Sequence, residues 1–448
     1  MNQENRKFYK TFFQIYIALV LQNVVTLSVN LADNIMLGSY QEVSLAGVAA
    51  VNQVQFVYQQ ILLAIGDGLV ILGSQYWGKG KIESMKKLSA IAMQIALAMA
   101  VVLLIGVTLF PYQTMGMFTT NQPIIEEGVK YLQIIRFTYV FFAITQLLLA
   151  TLRMVEVVKI AFVLSVITFF INFGINYVLI FGRFGAPMLG VKGAAIGTLV
   201  ARIVECIVLI CYIKKRENRL RLRWKDFLQF DRSLAKDYIK VSGPIVLVQA
   251  LWGLNNALQT VILGHMTAIA IAANSAASNL FLMVKSMISG AASTASVLIG
   301  KTIGTGDTKQ VMKYSSKLQR IFIVLGISGG ILLFFLRGPV LSLYDLQPET
   351  KELANTFLMI LSVVFIGMSY QMPTNNGIIR GGGSTMYVVK LDIISIWMIV
   401  LPLSFVMAFV VKASPAVVVC CLNADQIFKG IPAYIMSHHG NWIKKLTR

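Results

Sequence analysis

Apolar residues run along this chain in long unbroken blocks, separated by short charged or turn-rich breaks. The first block sets the scale: from Phe12 to Ala32 no charged residue occurs across twenty-one positions, matching the ~20 residues a helix needs to cross a hydrocarbon core. Read the same way, the chain contains twelve blocks, near residues 11–38, 47–77, 88–110, 124–152, 158–182, 189–213, 236–264, 268–300, 313–336, 352–379, 384–411 and 415–436. Continuous runs of this length predict helices, whereas the strands of an outer-membrane barrel would alternate over ~10-residue segments. The expected fold class is therefore all-α integral membrane, with twelve transmembrane helices.

Composition agrees: 57% of residues are hydrophobic and 13% charged, outside the range of soluble globular domains. The opening MNQENRKFYK is polar and basic, and the run behind it is too long for a signal-peptide core and lacks a small-residue cleavage site, so the first helix is expected to stay. Cys206, Cys211, Cys420 and Cys421 fall inside the runs and read as small packing residues, not a disulfide framework. With the N-terminus placed in the cytoplasm, Lys and Arg outside the runs fall overwhelmingly on the inner side. Both termini are thus expected to be cytoplasmic, in a multi-pass protein of the cytoplasmic membrane. The segment KKRENRLRLRWKDF from Lys214 carries much of the net charge of +20. It reads as a linker attracted to anionic lipid, not as a nucleic-acid contact.

Self-comparison divides the chain in two. At an offset of 226, DNIMLG from Asp33 falls on QTVILG from Gln259, WGKG from Trp77 falls on IGTG from Ile303, and Ser89 falls on Ser315. At 227, Arg153 falls on Arg380, each closing the fourth run of its half. The expected domains are an N-terminal lobe of six helices (1–213), a basic linker (214–235) and a C-terminal lobe of six helices (236–448). Six is even, so the halves enter the membrane in the same sense and are related by a pseudo-two-fold axis along the membrane normal, a parallel repeat seen in secondary transporters. The three histidines, His265, His438 and His439, form no ligand-spaced cluster, and there is no Walker motif. Neither an enzyme nor an ATP-driven pump is expected, and no cofactor beyond a coupling ion.

SQYWGKG after the second run, GKTIGTGD after the eighth, LADNIMLG in the first, INFGINYVLIFG in the fifth, GVKGAAIGTL entering the sixth and IIRGGG closing the tenth together resemble the multidrug and toxic compound extrusion (MATE) family. The resemblance covers nearly the whole chain. It implies a V-shaped transporter of two six-helix lobes that exports substrates against inward movement of H+ or Na+.

An ionised Asp inside a bilayer costs ~2.5–3.5 kcal/mol on insertion scales, so Asp33 needs a partner, a cavity or a proton. Asn172 and Asn176, four apart in the fifth run, share one helix face. With Thr198 in the sixth run they supply two amides and a hydroxyl, enough to make with Asp33 either a small oxygen-rich Na+ site or a hydrogen-bonded cage for a proton-carrying acid. The alternative is that Asp33 anchors a helix end and the asparagines bridge helices. By the family resemblance these four positions match an N-terminal-lobe ion site whose fifth-helix member is often Asp where this chain has Asn176. In the second half the counterparts of Asp33, Asn172 and Asn176 are Gln259, Ile399 and Leu403, and the stretches PIVLVQALWGLNNALQ of the seventh run and MSYQMPTNNGIIR of the tenth carry no acid. Coupling is expected in the first lobe alone.

Other ionisable residues in the runs are Asp67 and Lys285, readable as a charge pair across a cavity or as locally paired groups. Arg202 and Glu205 have a pairing spacing, and Asp392 and Asp425 lack an assigned role. Trp252, Asn255, Met283, Tyr370 and Gln371 are candidates for an adaptable substrate wall, with packing as the alternative. Pro244 and Pro373 are expected to bend their helices. The function expected is export of small organic, cationic or amphipathic compounds by alternating access. The alternatives are a lipid-linked oligosaccharide flippase of the same superfamily and a non-transporting receptor. The partners expected are small-molecule substrates and membrane lipid, with the monomer as the working unit.

Overall fold

A computed structural model describes residues 3–342, 347–439 and 441–447. Among them there is no β-strand. Eleven helices among the described residues are long and apolar enough to cross a membrane. They are Gln3–Tyr40, Glu42–Gly78, Ile82–Leu109, Lys159–Phe181, Val191–Arg216, Arg232–Leu263, Ala272–Thr305, Thr308–Leu341, Pro348–Ile379, Thr385–Val410 and Pro415–His438. The remaining span, fourth in chain order, is a pair, Gln122–Ile135 and Thr138–Met154, bent by 54°. Neither Pro nor Gly marks that bend. The chain turns at Arg136 and Phe137 through short-range bonds, Phe137 N–H donating to Ile134 O and Tyr139 N–H to Arg136 O, so no helix-breaking residue marks the turn in the sequence.

Helix geometry loosens in the tenth and eleventh spans. Pro373 has no amide proton, and the six residues behind it, Thr374–Ile379, wind as a π-helix, with Arg380 N–H donating to Asn375 O at 2.9 Å. Two further π stretches, Ile393–Val400 and Val406–Val410, interrupt the eleventh span.

The chain forms two compact units: Leu21–Gly73 with Lys81–Ser242, and Met1–Val20 with Ser74–Gly80 and Gly243–Arg448. These boundaries differ from 1–213 and 236–448. Phe8, Phe12 and Tyr16, spaced four apart on the first helix, are buried in a core with Leu298, Val311 and Phe322. That end of the first span therefore packs with the second half of the chain. The segment 214–235 is no free linker either. Lys214–Arg216 are the last turn of the sixth-span helix. Glu217 accepts from the amides of Arg219, Leu220 and Arg221, and Gln94 donates to Phe227 O and Gln229 O, tying the segment to the third span.

After the twelfth span the chain folds back. Trp442 is fully buried and its indole donates to Ser437 O at 2.9 Å. Lys444 N–H donates to Gly382 O, and Gln75 both donates to Lys444 O and accepts from Leu446 N–H.

Candidate ion-coupling site

Close approach of the fifth and sixth spans creates the site. Gly193 faces the backbone of Leu179, where an added methyl would lie 2.7 Å from the Leu179 carbonyl oxygen, and Leu189 N–H donates to that carbonyl at 2.8 Å. One turn further along, Gly197 leaves the space that the Asn176 amide fills; a β-carbon there would collide with Asn176 Oδ1. Asn172 and Asn176 are thereby turned inward, 2% and 0% exposed.

The structure joins the four residues singled out in the sequence into one chain of hydrogen bonds. Asn176 Nδ2 donates to Asp33 Oδ1 at 2.7 Å and to Asn172 Oδ1 at 3.2 Å, and Asn172 Nδ2 donates to Thr198 Oγ1 at 3.1 Å. Asp33 is the only carboxylate in this chain of bonds. Asn176 Oδ1 is buried without a partner, an acceptor left over in a place with little water.

Two neighbours were missed. Tyr131, buried in the helix before the bend, lies within electrostatic reach of Asp33. Arg202, one helical turn beyond Thr198, also acts on Asp33, while pairing with Glu205 at 2.7 Å and lying over the Phe142 ring. Thr198 and Arg202 line a small polar cavity with Gln55, Tyr58, Thr138 and Tyr139. Tyr131 gave no sequence signal, because a Tyr on an amphipathic helix reads as packing. Arg202 was visible, but its spacing to Glu205 made it look neutralised.

The remaining candidates disperse. Asp67 pairs locally with Arg153 at 3.2 Å, which is the local alternative to a pair with Lys285. Lys285 lies over the Trp252 ring, 5.0 Å from its centroid. Tyr370 donates to Gln319, and Gln371 donates to Gln426 while accepting from Asn375. Asn255 is 5% exposed with an unpartnered Oδ1, and Met283 is exposed. Asp392 and Asp425, given no role by the sequence, are both bound by Lys429. Among the described residues no three His, Cys, Asp or Glu side chains form a metal-binding group.

A bundle of apolar spans with a buried polar chain at one acid defines a multi-pass membrane protein of transporter architecture. The chain belongs to the MatE family: the family model matches residues 18–178 and again 244–406, starting points separated by the offset that sets Asp33 on Gln259. The chain is similar to a probable multidrug resistance protein NorM of Thermotoga maritima, 25% identical over 98% of this chain and 94% of that one. It is also 25% identical to a probable multidrug resistance protein YoeA of Bacillus subtilis, over 88% and 86%. Among solved structures, the Vibrio cholerae MATE transporter VcmN in its bent form superposes with a TM-score of 0.85 at 16% identity, over 98% of both chains. The fold is therefore that of MATE transporters, and the family is one that moves small molecules across membranes.

Proposed function

We propose that this protein is a secondary antiporter of the cytoplasmic membrane, with both termini inside, that exports small amphipathic organic compounds in exchange for H+ or Na+, and that Asp33 is the coupling acid. The bond from Asn176 Nδ2 to Asp33 Oδ1 carries this reading. An amide is a donor on one side and an acceptor on the other. With Asp33 ionised, Asn176 donates to it. With Asp33 protonated, the same amide turned over accepts from the acid, and Asn176 Oδ1, now without a partner, gains one. An Asn176–Asp33 hydrogen bond is thus available in each charge state, which suits a group that takes up and releases a proton during the cycle. Na+ would need Asn172, Asn176 and Thr198 to turn their oxygens inward together around a single negative charge. H+ is therefore the favoured ion.

In this reading one copy of the chain suffices and no further cofactor is needed. Ion binding shifts the balance between outward- and inward-open states, and substrate export follows because the two ligands prefer different states. The names of the NorM and YoeA relatives support multidrug export. The test is efflux of a dye or drug from proteoliposomes under an imposed pH or Na+ gradient, with Asp33→Asn as the comparison. Gradient-driven efflux that disappears in the folded variant supports the assignment, and the effective gradient names the ion. Unchanged driven efflux in Asp33→Asn removes Asp33 from the mechanism.

A further inference from the structure

In the unit that contains the second half of the chain, the charged groups of the spans do not pair one to one. Lys429, its side chain 3% exposed, lies 2.7 Å from Asp392 Oδ1 and 2.9 Å from Asp425 Oδ2. Gln426 Nε2 also donates to Asp425, at 2.8 Å. Both carboxylates are therefore engaged. Lys285, in the eighth span, is left over: among the described residues it makes no hydrogen bond and no ion pair, and Asp425 acts on it only through its field. Its ammonium lies instead over the face of Trp252, at 5.0 Å. Three residues from Trp252, on the same side of the seventh span, Asn255 is 5% exposed and has an amide oxygen with no partner.

A cation inside a span without a counter-ion is unfavourable, and a ring face offsets only part of that cost. Lys285 is also too far from either end of its helix for its stem to carry the charge to water. What the site lacks is an anion; an aromatic face lies beside the ammonium, and on the same helix side as that ring the unpartnered Asn255 Oδ1 offers an acceptor.

We propose that Lys285, Trp252 and Asn255 form a binding site for an organic anion: a small amphipathic molecule with a carboxylate for the Lys285 ammonium and an aromatic or apolar body for the Trp252 side. This rests on the reading that the chain exports small organic compounds, and it fixes their charge as opposite to the cationic class expected from the sequence. A charge-assisted contact in a low-dielectric setting gives such a site its selectivity for the charged form over neutral analogues.

The test is equilibrium binding of radiolabelled 2-naphthoate to the full chain in nanodiscs of zwitterionic lipid, with the methyl ester and the corresponding naphthylmethylamine as competitors. The acid is expected to bind saturably and to be displaced at least about tenfold less well by the ester or the amine. Lys285→Met is expected to weaken acid binding by about tenfold or more, with Lys285→Arg staying within a few-fold of the unmodified protein. An unchanged melting temperature in both variants shows that the loss is not unfolding. The measurement imposes no ion gradient and reads binding alone, so failure of the export assignment at Asp33 stays distinguishable from failure of this one. The proposal is overturned if naphthoate shows no saturable binding, if ester or amine binds as well as the acid, or if Lys285→Met leaves acid binding unchanged.

Discussion

Gly78 and Gly304, one full repeat apart in sequence, touch each other. A methyl group added to either would lie 2.8 Å from the other's Cα, and each would also run into a backbone carbonyl, that of Lys301 for Gly78 and that of Gln75 for Gly304. Gln75 and Lys301 are themselves repeat equivalents, so the contact is reciprocal: what one half presents at this point, the other presents back. Backbone packed on backbone leaves no room for a side chain and no flexible atom to yield. Gly78→Val and Gly304→Val are each expected to destabilise the protein by about 1–3 kcal/mol, read as a lower melting temperature in detergent. Gly106→Ala, where nothing lies within 4 Å, is the matched control and is expected to leave it nearly unchanged.

Gly197 and Asn176 make a sharper case at the coupling site. Gly197→Ala places a methyl where Asn176 Oδ1 now sits, and is expected to push the amide off Asp33 and reduce gradient-driven efflux by about tenfold while leaving passive substrate binding intact, since positioning errors of this size cost much of a coupled rate. Asn176→Asp adds a second negative charge beside Asp33. It is expected to make the protein more stable in NaCl than in choline chloride, a difference the unmodified protein shows weakly or not at all. Equal melting temperatures of this variant in both salts would count against an oxygen-rich cation site at these positions.

The group Asp392, Lys429 and Asp425 gives an asymmetric expectation. Removing the ammonium with Lys429→Met strands the buried carboxylate of Asp425 and the partly exposed one of Asp392 and is expected to cost about 3 kcal/mol, whereas Asp392→Asn and Asp425→Asn combined with Lys429→Met remove every charge together and recover most of that loss. Chemical or thermal unfolding of the two proteins in the same detergent checks it. A triple variant as unstable as the single one would show that packing, and not charge, holds this junction.

Asp231 caps the seventh-span helix, accepting from the amides of Ser233 and Leu234 at 3.0 and 3.2 Å with Lys87 at 3.6 Å. The bond from Leu234 N–H, then that from Ser233, and the Lys87 charge hold its carboxyl below the ordinary value of 3.8. The native state therefore favours the ionised form. Its contribution is fully present above the ordinary carboxylate range and is lost as pH falls through the lowered folded value. Amide hydrogen exchange at Ser233 and Leu234, corrected for the intrinsic pH dependence, is expected to quicken only in that acid range. In Asp231→Ala the amides are expected to be fast at neutral pH already.

Much of the coupling site could be read in advance, for a definite reason. In a chain where nearly every position between the breaks is apolar, Asp33, Asn172, Asn176 and Thr198 stand out, and helical spacing alone puts the two asparagines on one face. Lys429 was open to the same reading, since Asp425 lies four residues before it, a spacing that brings side chains together on a helix. Gly197 and Tyr131 could not be found this way. A glycine's need for space depends on what packs against it, and a buried Tyr differs from a packing Tyr only in what its hydroxyl meets.

The sequence by itself determined the membrane class, the spans and the two-fold repeat, because a bilayer imposes its demand on each segment separately: enough apolar length, and backbone bonds satisfied within the helix. Tertiary structure alone decided the rest. It bent the fourth span at a place with no Pro or Gly, packed the start of the first helix against the second half, paired Asp67 with Arg153, and gave both carboxylates to Lys429 while leaving Lys285 over a ring. Those outcomes depend on which side chains arrive within about 3 Å of each other from different helices, a distance that no pattern along one helix contains.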